Sequence, residues 1–568
     1  MVTERRSILW VGMFLLVALA STAQDLPSEQ DRERIEKAIP RRAYAVPKQP
    51  RKLLIYDANV GYGGHASIRH ANYAFLRMGE ETGAFEVLIS REPASFEKDS
   101  LGEFDAVFFN NTVGNLFEDE NLRGNLVDFV CGGGGLMGVH GTSVGFTRWP
   151  GAHEDWPEFA RMIGARGASH LKADERAVIR LEEPEHPVVR SFGVKEFEYS
   201  DEFFRFGDPY SRERVRVLLS IDNEKTAKLQ GKDAVHKFRE DNDYALAWVR
   251  RYGRGRVFYS ALGHSPKIFW DPAMLRFYLA ATQFALGDLP APAVPSAKLT
   301  PAIRAREKLG WRLGIEAYTF HKYSFFETIE KTKTLGLAYI GGLSFQKVSD
   351  DIPKNFDPQL SDEELEKIRL KLDGAGLKLL TYYYQAIPGD EAGCRKVFDF
   401  GKKMGIEVFL SEPAPESLDT IERFCEEYGI RVALHNHGPD ASPVYWKPEG
   451  ILDACEGRSP LLGACGDMGY WMRSGIDPLE AVRTLKDRLI TIQMHDLNEL
   501  TGEGHDVPWG TGKGEAEAFV RKLHRLGIVP VMFGLEYSYD WLDSIPEIEE
   551  SIAFFDALSL KMAEGNTP

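Results

Sequence analysis

A chain of 568 residues exceeds what one ordinary hydrophobic core serves, so two domains are the natural expectation. Its 69 basic and 85 acidic residues leave a formal charge of −16, which counts against a protein that grips nucleic acid through phosphate neutralisation. A hydrophobic share of 43% suits a globular protein with a small polar ligand, and five cysteines without motif spacing read as buried free thiols, not a disulfide framework or zinc knuckle.

Arg5 and Arg6 precede an apolar run over residues 8–20, and small residues follow up to Ala23. This predicts a signal peptide over 1–23 and an exported product, periplasmic or secreted, with an uncleaved anchor as the alternative. The run is shorter than the roughly 20 residues a membrane span takes, and no later apolar segment is long enough to cross a bilayer. Residues 24–49 are charged and proline-punctuated, a leader that wraps the first domain or stays mobile.

The first domain is expected over 50–288. Strand-like runs at 52–57, 85–89, 104–110 and 135–140 alternate with helical ones such as 118–130, the pattern of a parallel sheet flanked by helices. The glycine run 132–135 lacks the Lys-Ser/Thr or strand-to-helix context of a phosphate loop, so it reads as a tight turn. Gly138-Val-His140-Gly-Thr142 is a sharp strand-to-helix turn of the nucleophile-elbow kind. A class I glutamine amidotransferase would carry its cysteine there; with His140 in place, amidotransferase chemistry is not expected.

On His65 with Ser67, His140, the stretch from Trp149 to Trp156, His170, Asp201-Glu202 and the run from Ala247 to His264, residues 50–290 resemble the trehalose-utilisation (ThuA-like) family. The resemblance implies an amidotransferase-like, doubly wound parallel-sheet fold without the nucleophile, and a link to carbohydrate metabolism, especially oxidised (keto) disaccharides. His65, His140 and His264 are then candidate substrate-binding residues at the carboxyl edge of the sheet, where ligands bind in open α/β folds. The alternative is that each is a hydrogen-bonded, half-buried histidine. Residues 289–309 form a proline- and alanine-rich linker, semi-rigid by composition.

From 310 to 562 strands and helices alternate with a period of roughly thirty residues, the length of a βα unit. Eight such units predict a (β/α)8 TIM barrel, whose active site lies at the carboxyl ends of its strands. The polar residues gather there. The run Val432-Ala-Leu-His435-Asn436-His437 puts both histidines on one strand face, since residues i and i+2 point the same way. Asp467, His495 and Glu536 end three later strands, and Glu412 the strand before His435; His435, Asp467, His495 and Glu536 form a candidate metal site. Mixed imidazole and carboxylate ligands suit a divalent ion, with manganese, cobalt, zinc and magnesium left open.

On His435-Asn436-His437, Asp467, Gly475-Ile-Asp477-Pro478, His495-Asp496, the loop His505-Asp-Val-Pro-Trp509-Gly510 and Glu536, residues 310–560 resemble the xylose isomerase-like sugar phosphate isomerase/epimerase superfamily. Its ketose epimerases use Glu, Asp, His and Glu on strands five to eight, the two glutamates also shuttling protons. Here His435 stands where the first glutamate belongs, and Tyr470-Trp471 replace a family histidine. The resemblance implies a metal-dependent isomerase, epimerase or lyase acting on a sugar, with Glu536 as general base and His437, His505 or Glu412 as the second proton-transfer group. Tyr318, Phe320, Tyr383, Trp471, Trp509, Tyr537 and Trp541 are aromatic residues that stack on a sugar or pack the barrel top, Trp471 and Trp509 being the substrate-binding candidates. A non-catalytic exported sugar-binding protein and an endonuclease IV-type nuclease are the rival classes.

Overall fold

The computed structural model describes residues 26–147, 156–232 and 238–565, so the expected signal peptide and Trp149 lie outside the described residues. Among the described residues no helix is long and apolar enough to cross a membrane. All five cysteines are buried and free.

Eleven short strands make the first domain: β1 (Lys52–Tyr56), β2 (Glu86–Ser90), β3 (Ala106–Asn110), β4 (Gly135–Val139), β5 (Arg166–His170), β6 (Glu175–Leu181), β7 (Glu196–Asp201), β8 (Phe204–Gly207), β9 (Arg216–Ile221), β10 (Ala245–Tyr252) and β11 (Gly255–Ser260). Nine of them form one sheet in the order β2-β1-β3-β4-β11-β10-β9-β6-β7. The first five of that order are parallel, as the strand–helix alternation requires. The remaining four extend the sheet by antiparallel pairing, because β10 and β11 are joined by the tight turn at Gly253 and not by a crossover helix. β5 and β8 pair separately.

The leader wraps this domain. Its helix Glu29–Ala38 is capped by Ser28 and buries Ile35, and Glu36 bonds Tyr73 and Arg77 on the helix Ile68–Thr82. Part of the expected linker is also ordered structure. Thr300 caps a helix over Pro301–Leu309, with proline at its first position and Gly310 in the left-handed region closing it. That helix packs on the last helix, Ile545–Ala563, and Arg306 pairs with Asp556 across the contact.

The second domain is a closed barrel of eight parallel strands in sequence order: β12 (Leu313–Ile315), β13 (Tyr339–Leu343), β14 (Lys378–Tyr383), β15 (Val408–Ser411), β16 (Arg431–His435), β17 (Leu462–Asp467), β18 (Leu489–Met494) and β19 (Phe533–Leu535). β19 pairs with β12 to close it. Its helices bury their apolar stripes on the outside of this cylinder; Ser324 and Ser361, each with a glutamate three residues on, close capping boxes at two of them.

The domains dock through the ends at which their parallel strands begin. The β10–β11 turn reaches the barrel where Arg254 donates to the carbonyls of Tyr428 and Gly429, just before β16 begins, and Gly253 abuts Gly405, just before β15. Asp373, buried on the barrel side, pairs with Arg250 and lies 3.6 Å from Arg161 and Arg214. Arg369 likewise grips the buried Glu158 at 2.7 Å. A cavity of about 760 Å³ remains between the domains, lined by this turn, the proline-rich linker and the amino ends of the barrel strands. β4, β11 and the barrel strands all begin near this contact, so their carboxyl ends point away from it.

Candidate metal centre and catalytic site

Most barrel strands end by turning a polar side chain over the mouth, and register decides which ones meet. β16 pairs with β17 so that His435 sits opposite Cys465, β17 with β18 so that Asp467 sits opposite Gln493, and β18 with β19 so that Met494 sits opposite Leu535. Asp467, His495 and Glu536 are thereby brought within 4.8 Å of one another, all buried. Asp467 Oδ2 stands 3.6 Å from His435 Nε2 and 3.7 Å from His495 Nε2, too far for hydrogen bonds. Asp467 Oδ2 and His495 Nε2 are buried without a hydrogen-bond partner. Ligands held about 2.1 Å from a common ion stand roughly 3.0–3.4 Å apart, so a small contraction onto a divalent ion would satisfy both. The donor set fits such an ion.

His435 belongs to a second cluster that shares a wall with the first. With Glu412 and His437 it forms another group within 4.8 Å, and its ring lies 4.4 Å from that of His437. Its Nε2 is held at 2.5 Å by Gln493 Oε1, whose amide nitrogen donates to Glu536 Oε2 at 2.8 Å. Gln493 therefore links the two clusters. His437 Nδ1 stands 2.6 Å from Glu412 Oε1, which also accepts from Tyr383 at 3.1 Å.

Burial and neighbouring charge separate these groups electrically. Burial pushes the Glu536 carboxyl up to about 7, only partly offset by His495. Glu316, at the end of β12, is pushed up to about 8 by burial and by Glu536, against a hydrogen bond from Thr381. Its carboxylate fits only because Gly341 and Gly534 carry no side chain: a Cβ on Gly534 would meet Glu316 Oε1 at 2.6 Å, and one on Gly341 would overlap Oε2. Burial would raise Glu412, but His435, 3.5 Å away, and the hydrogen bond with His437 hold it at about 2. Burial would lower His435, but Asp467 and then Glu412 outweigh it and push it up to about 10. Asp467 is held well below its ordinary range, burial notwithstanding, chiefly by the charge of His495.

The mouth opens as a pocket of about 210 Å³ whose lining includes Glu316, Tyr318, Tyr383, His435, His437, Tyr470, Gln493 and Glu536. Tyr318 and Phe345 stand exposed at its rim. Several expected residues lie elsewhere. Trp471 and Trp509 are at most 2% exposed and belong to the hydrophobic core under the barrel helices, so neither touches a ligand at the mouth. The helix Met468–Arg473 turns Trp471 inward behind Gly466, and Trp509 packs on Phe555. Phe320 and Tyr537 are core residues too. His505 stacks on Tyr539, its ring 4.2 Å away, outside both clusters. Its neighbour Asp506 reaches the site instead, with Oδ1 2.7 Å from His495 Nδ1. Asp506 and Gln493 were not singled out in the sequence, although Gln493 shares the strand face of His495 two residues on, which marks it as inward-pointing.

In the first domain the sheet's carboxyl edge gathers His65, His140 and His264, with ligand nitrogens within 4.8 Å of one another. The elbow after β4 holds His140 at φ 42°, a left-handed conformation that a non-glycine residue adopts at a cost. Glu202, following β7, lies 3.5 Å from His140, 3.3 Å from His170 and 3.9 Å from His264. Trp156 packs on Phe146 and Phe159.

Residues 52–285 match the family model described as trehalose utilisation, and residues 329–558 match the xylose isomerase-like TIM barrel. Among solved structures, an uncharacterized protein from Parabacteroides distasonis is 32% identical over 43% of this chain and 97% of its own, with a TM-score of 0.36. A xylose isomerase domain protein from Planctomyces limnophilus is 16% identical over 45% of this chain and 99% of its own, TM-score 0.35. A sugar phosphate isomerase/epimerase from Parabacteroides distasonis is 14% identical over 44% of this chain and 94% of its own, TM-score 0.35. No curated protein matches the chain. The first domain thus matches the trehalose-utilisation model and the second the xylose isomerase-like TIM barrel model.

Proposed function

We propose that the barrel is a metal-dependent enzyme that forms an enediolate from a ketose or keto-glycoside and resolves it by isomerisation, epimerisation or β-elimination. The observation that carries this reading is the buried Asp467–His495–Glu536 cluster with unsatisfied ligand atoms at the barrel mouth. Asp467, His495 and Glu536 would hold the ion, with His435 beside them. A divalent ion supplies Lewis acidity to a carbonyl and its neighbouring hydroxyl.

The chain's own groups handle the protons. Glu536, pushed up to about 7 and steadied by Gln493, accepts the proton from the carbon beside the carbonyl. His437, held by Glu412, lines the same pocket and delivers a proton. Delivered to the neighbouring carbon or the opposite face, it gives isomerisation or epimerisation; delivered to a departing β-oxygen, it gives elimination. His435 in place of a second carboxylate base tilts the balance towards elimination. A lining of carboxylates, amides, imidazoles and tyrosines suits a neutral polyol better than a phosphorylated sugar, in keeping with an exported protein.

The test is incubation with keto-glucosides and common ketoses in deuterated water, read by NMR for exchange at the carbon beside the carbonyl and for product. Wild type should exchange, and Asp467→Ala and Glu536→Gln should not. Metal-loaded protein that binds these sugars yet exchanges none of them would make it a sugar-binding protein without turnover.

A further inference from the structure

The histidine cluster of the first domain is built with more care than a chance meeting of loop side chains. Asn111, itself at φ 55°, ties together the loops that carry all three rings: its amide donates to Ser67 Oγ at 3.2 Å and to Gly263 O at 3.0 Å, and its oxygen accepts from Gly141 N at 3.0 Å. Ser67 adds a bond to Gly263 O at 2.6 Å. Asp201, fully buried, accepts from the backbone N–H of Gly263, His264 and Ser265. The ring centroids stand 5.0 Å (His65–His140), 5.4 Å (His65–His264) and 5.2 Å (His140–His264) apart.

His140 is fully buried, and its Nδ1 lies 3.1 Å from the carbonyl of Ala261, which can only accept. Nδ1 is therefore the protonated nitrogen and Nε2 carries the lone pair. That Nε2 has no hydrogen-bond partner, and neither has the buried Nδ1 of His65. An unpaired acceptor in a buried site is destabilising, because it has given up its water without gaining a partner, and a ligand would remove that cost.

The geometry points to a second metal centre, separate from the barrel: His65, His140 and His264 hold one zinc-like divalent ion at the carboxyl edge of the first domain's sheet, with Glu202 beside its open position. Three imidazoles and an exchangeable water are the donor set of a catalytic zinc site. Imidazole-only ligation favours zinc, copper or nickel over magnesium, whereas the carboxylate-bearing barrel cluster accepts harder ions. The two centres should thus differ in which metals they retain. Glu202, 3.5 Å from His140 and 3.3 Å from His170, lies where it can hydrogen-bond a water on the ion.

The test uses the full chain, stripped with a chelator, reconstituted with cobalt(II) and desalted. Wild type should retain two cobalt ions per chain, and Asp467→Asn with His495→Gln one, showing the visible band of a tetrahedral site. Adding His264→Gln, on a half-exposed loop residue, should abolish that band, with thermal unfolding as the check on folding. A barrel double variant that binds no cobalt overturns the proposal, as does one whose cobalt survives both His264→Gln and His65→Gln. If the barrel itself holds no metal, wild type retains one ion, lost in His264→Gln and kept in the barrel variant, so failure of the barrel reading and failure of this one are told apart.

Discussion

Replacing Asp506 by asparagine should weaken metal binding at the barrel mouth by about 10- to 100-fold, while His505→Ala leaves it unchanged. Asp506 Oδ1 accepts from His495 Nδ1 at 2.7 Å, and both side chains are no more than 2% exposed. The carboxylate cannot swing away, because its other oxygen is held by Arg473 Nη2 at 2.9 Å and Ser538 N at 3.3 Å. As an acceptor it keeps the His495 proton on Nδ1, leaving Nε2 free to ligate. Asparagine keeps the shape and loses the charge. With its oxygen towards His495 the tautomer survives on a weaker bond; with its nitrogen there, Nε2 takes the proton and ligation is blocked.

A buried hydrogen bond to a charged group is worth about 1.5–3 kcal/mol, and each 1.4 kcal/mol or so is tenfold in affinity, which gives the range stated. Competition against a colorimetric chelator reads the metal affinity, and thermal unfolding checks that the variant is folded. His505 is the internal control, since it is one residue away and stacks on Tyr539 outside both clusters. An Asp506→Asn affinity within twofold of wild type would refute the reasoning, and loss of turnover in His505→Ala would return the proton-transfer role to His505.

The contact between the domains should fail first at Asp373. Removing its carboxylate leaves Arg250, Arg161 and Arg214 facing one another in a buried contact, and Asp373→Ala should cost about 3–5 kcal/mol, read as a lower urea midpoint. A midpoint like that of wild type would show the pair to be dispensable. Acid sensitivity should reside partly in Glu182, where hydrogen bonds from Arg212, Ser220 and Arg180 outweigh burial and hold the carboxyl at about 2. Its folded value lies below the unfolded one of 4.5, so its contribution is complete above pH 4.5 and is lost as pH falls towards 2. Glu182→Gln should therefore flatten the fall in melting temperature across that window; an unchanged slope would assign the acid sensitivity to other groups.

The strand ends were legible in the sequence because an apolar run that stops at Asp467, His495 or Glu536 carries its own boundary, and period-2 alternation fixes the inward face. Register across neighbouring strands was not. It is register that sets Gln493 beside Asp467 and so joins His435 to Glu536, and no local pattern encodes it. The aromatic residues failed for a related reason: a tryptophan one position after Tyr470 is turned by about 100° around the helix, so Tyr470 lines the pocket while Trp471 enters the core. The antiparallel half of the first sheet was hidden because its strands look like any others until their pairing is known.

The way the halves meet constrains what the molecule can do as a whole. Both domains offer the amino ends of their strands to the contact, where backbone and arginine groups can pair without blocking a ligand edge. Both carboxyl ends therefore open outward, and on the proposed function a compound made at the barrel mouth would have to leave into solvent before it reached the first domain's histidine cluster. Tethering then acts only by raising the local concentration of one site near the other, which gains little for a product that diffuses freely. Coupling through the protein would have to cross the charged contact at Asp373 and the cavity beside it. A variant that loosens Asp373 without unfolding either domain should leave each site's own ligand affinity intact, and a change in sugar binding at the barrel mouth on such a substitution would show that the contact transmits strain as well as holding the halves together.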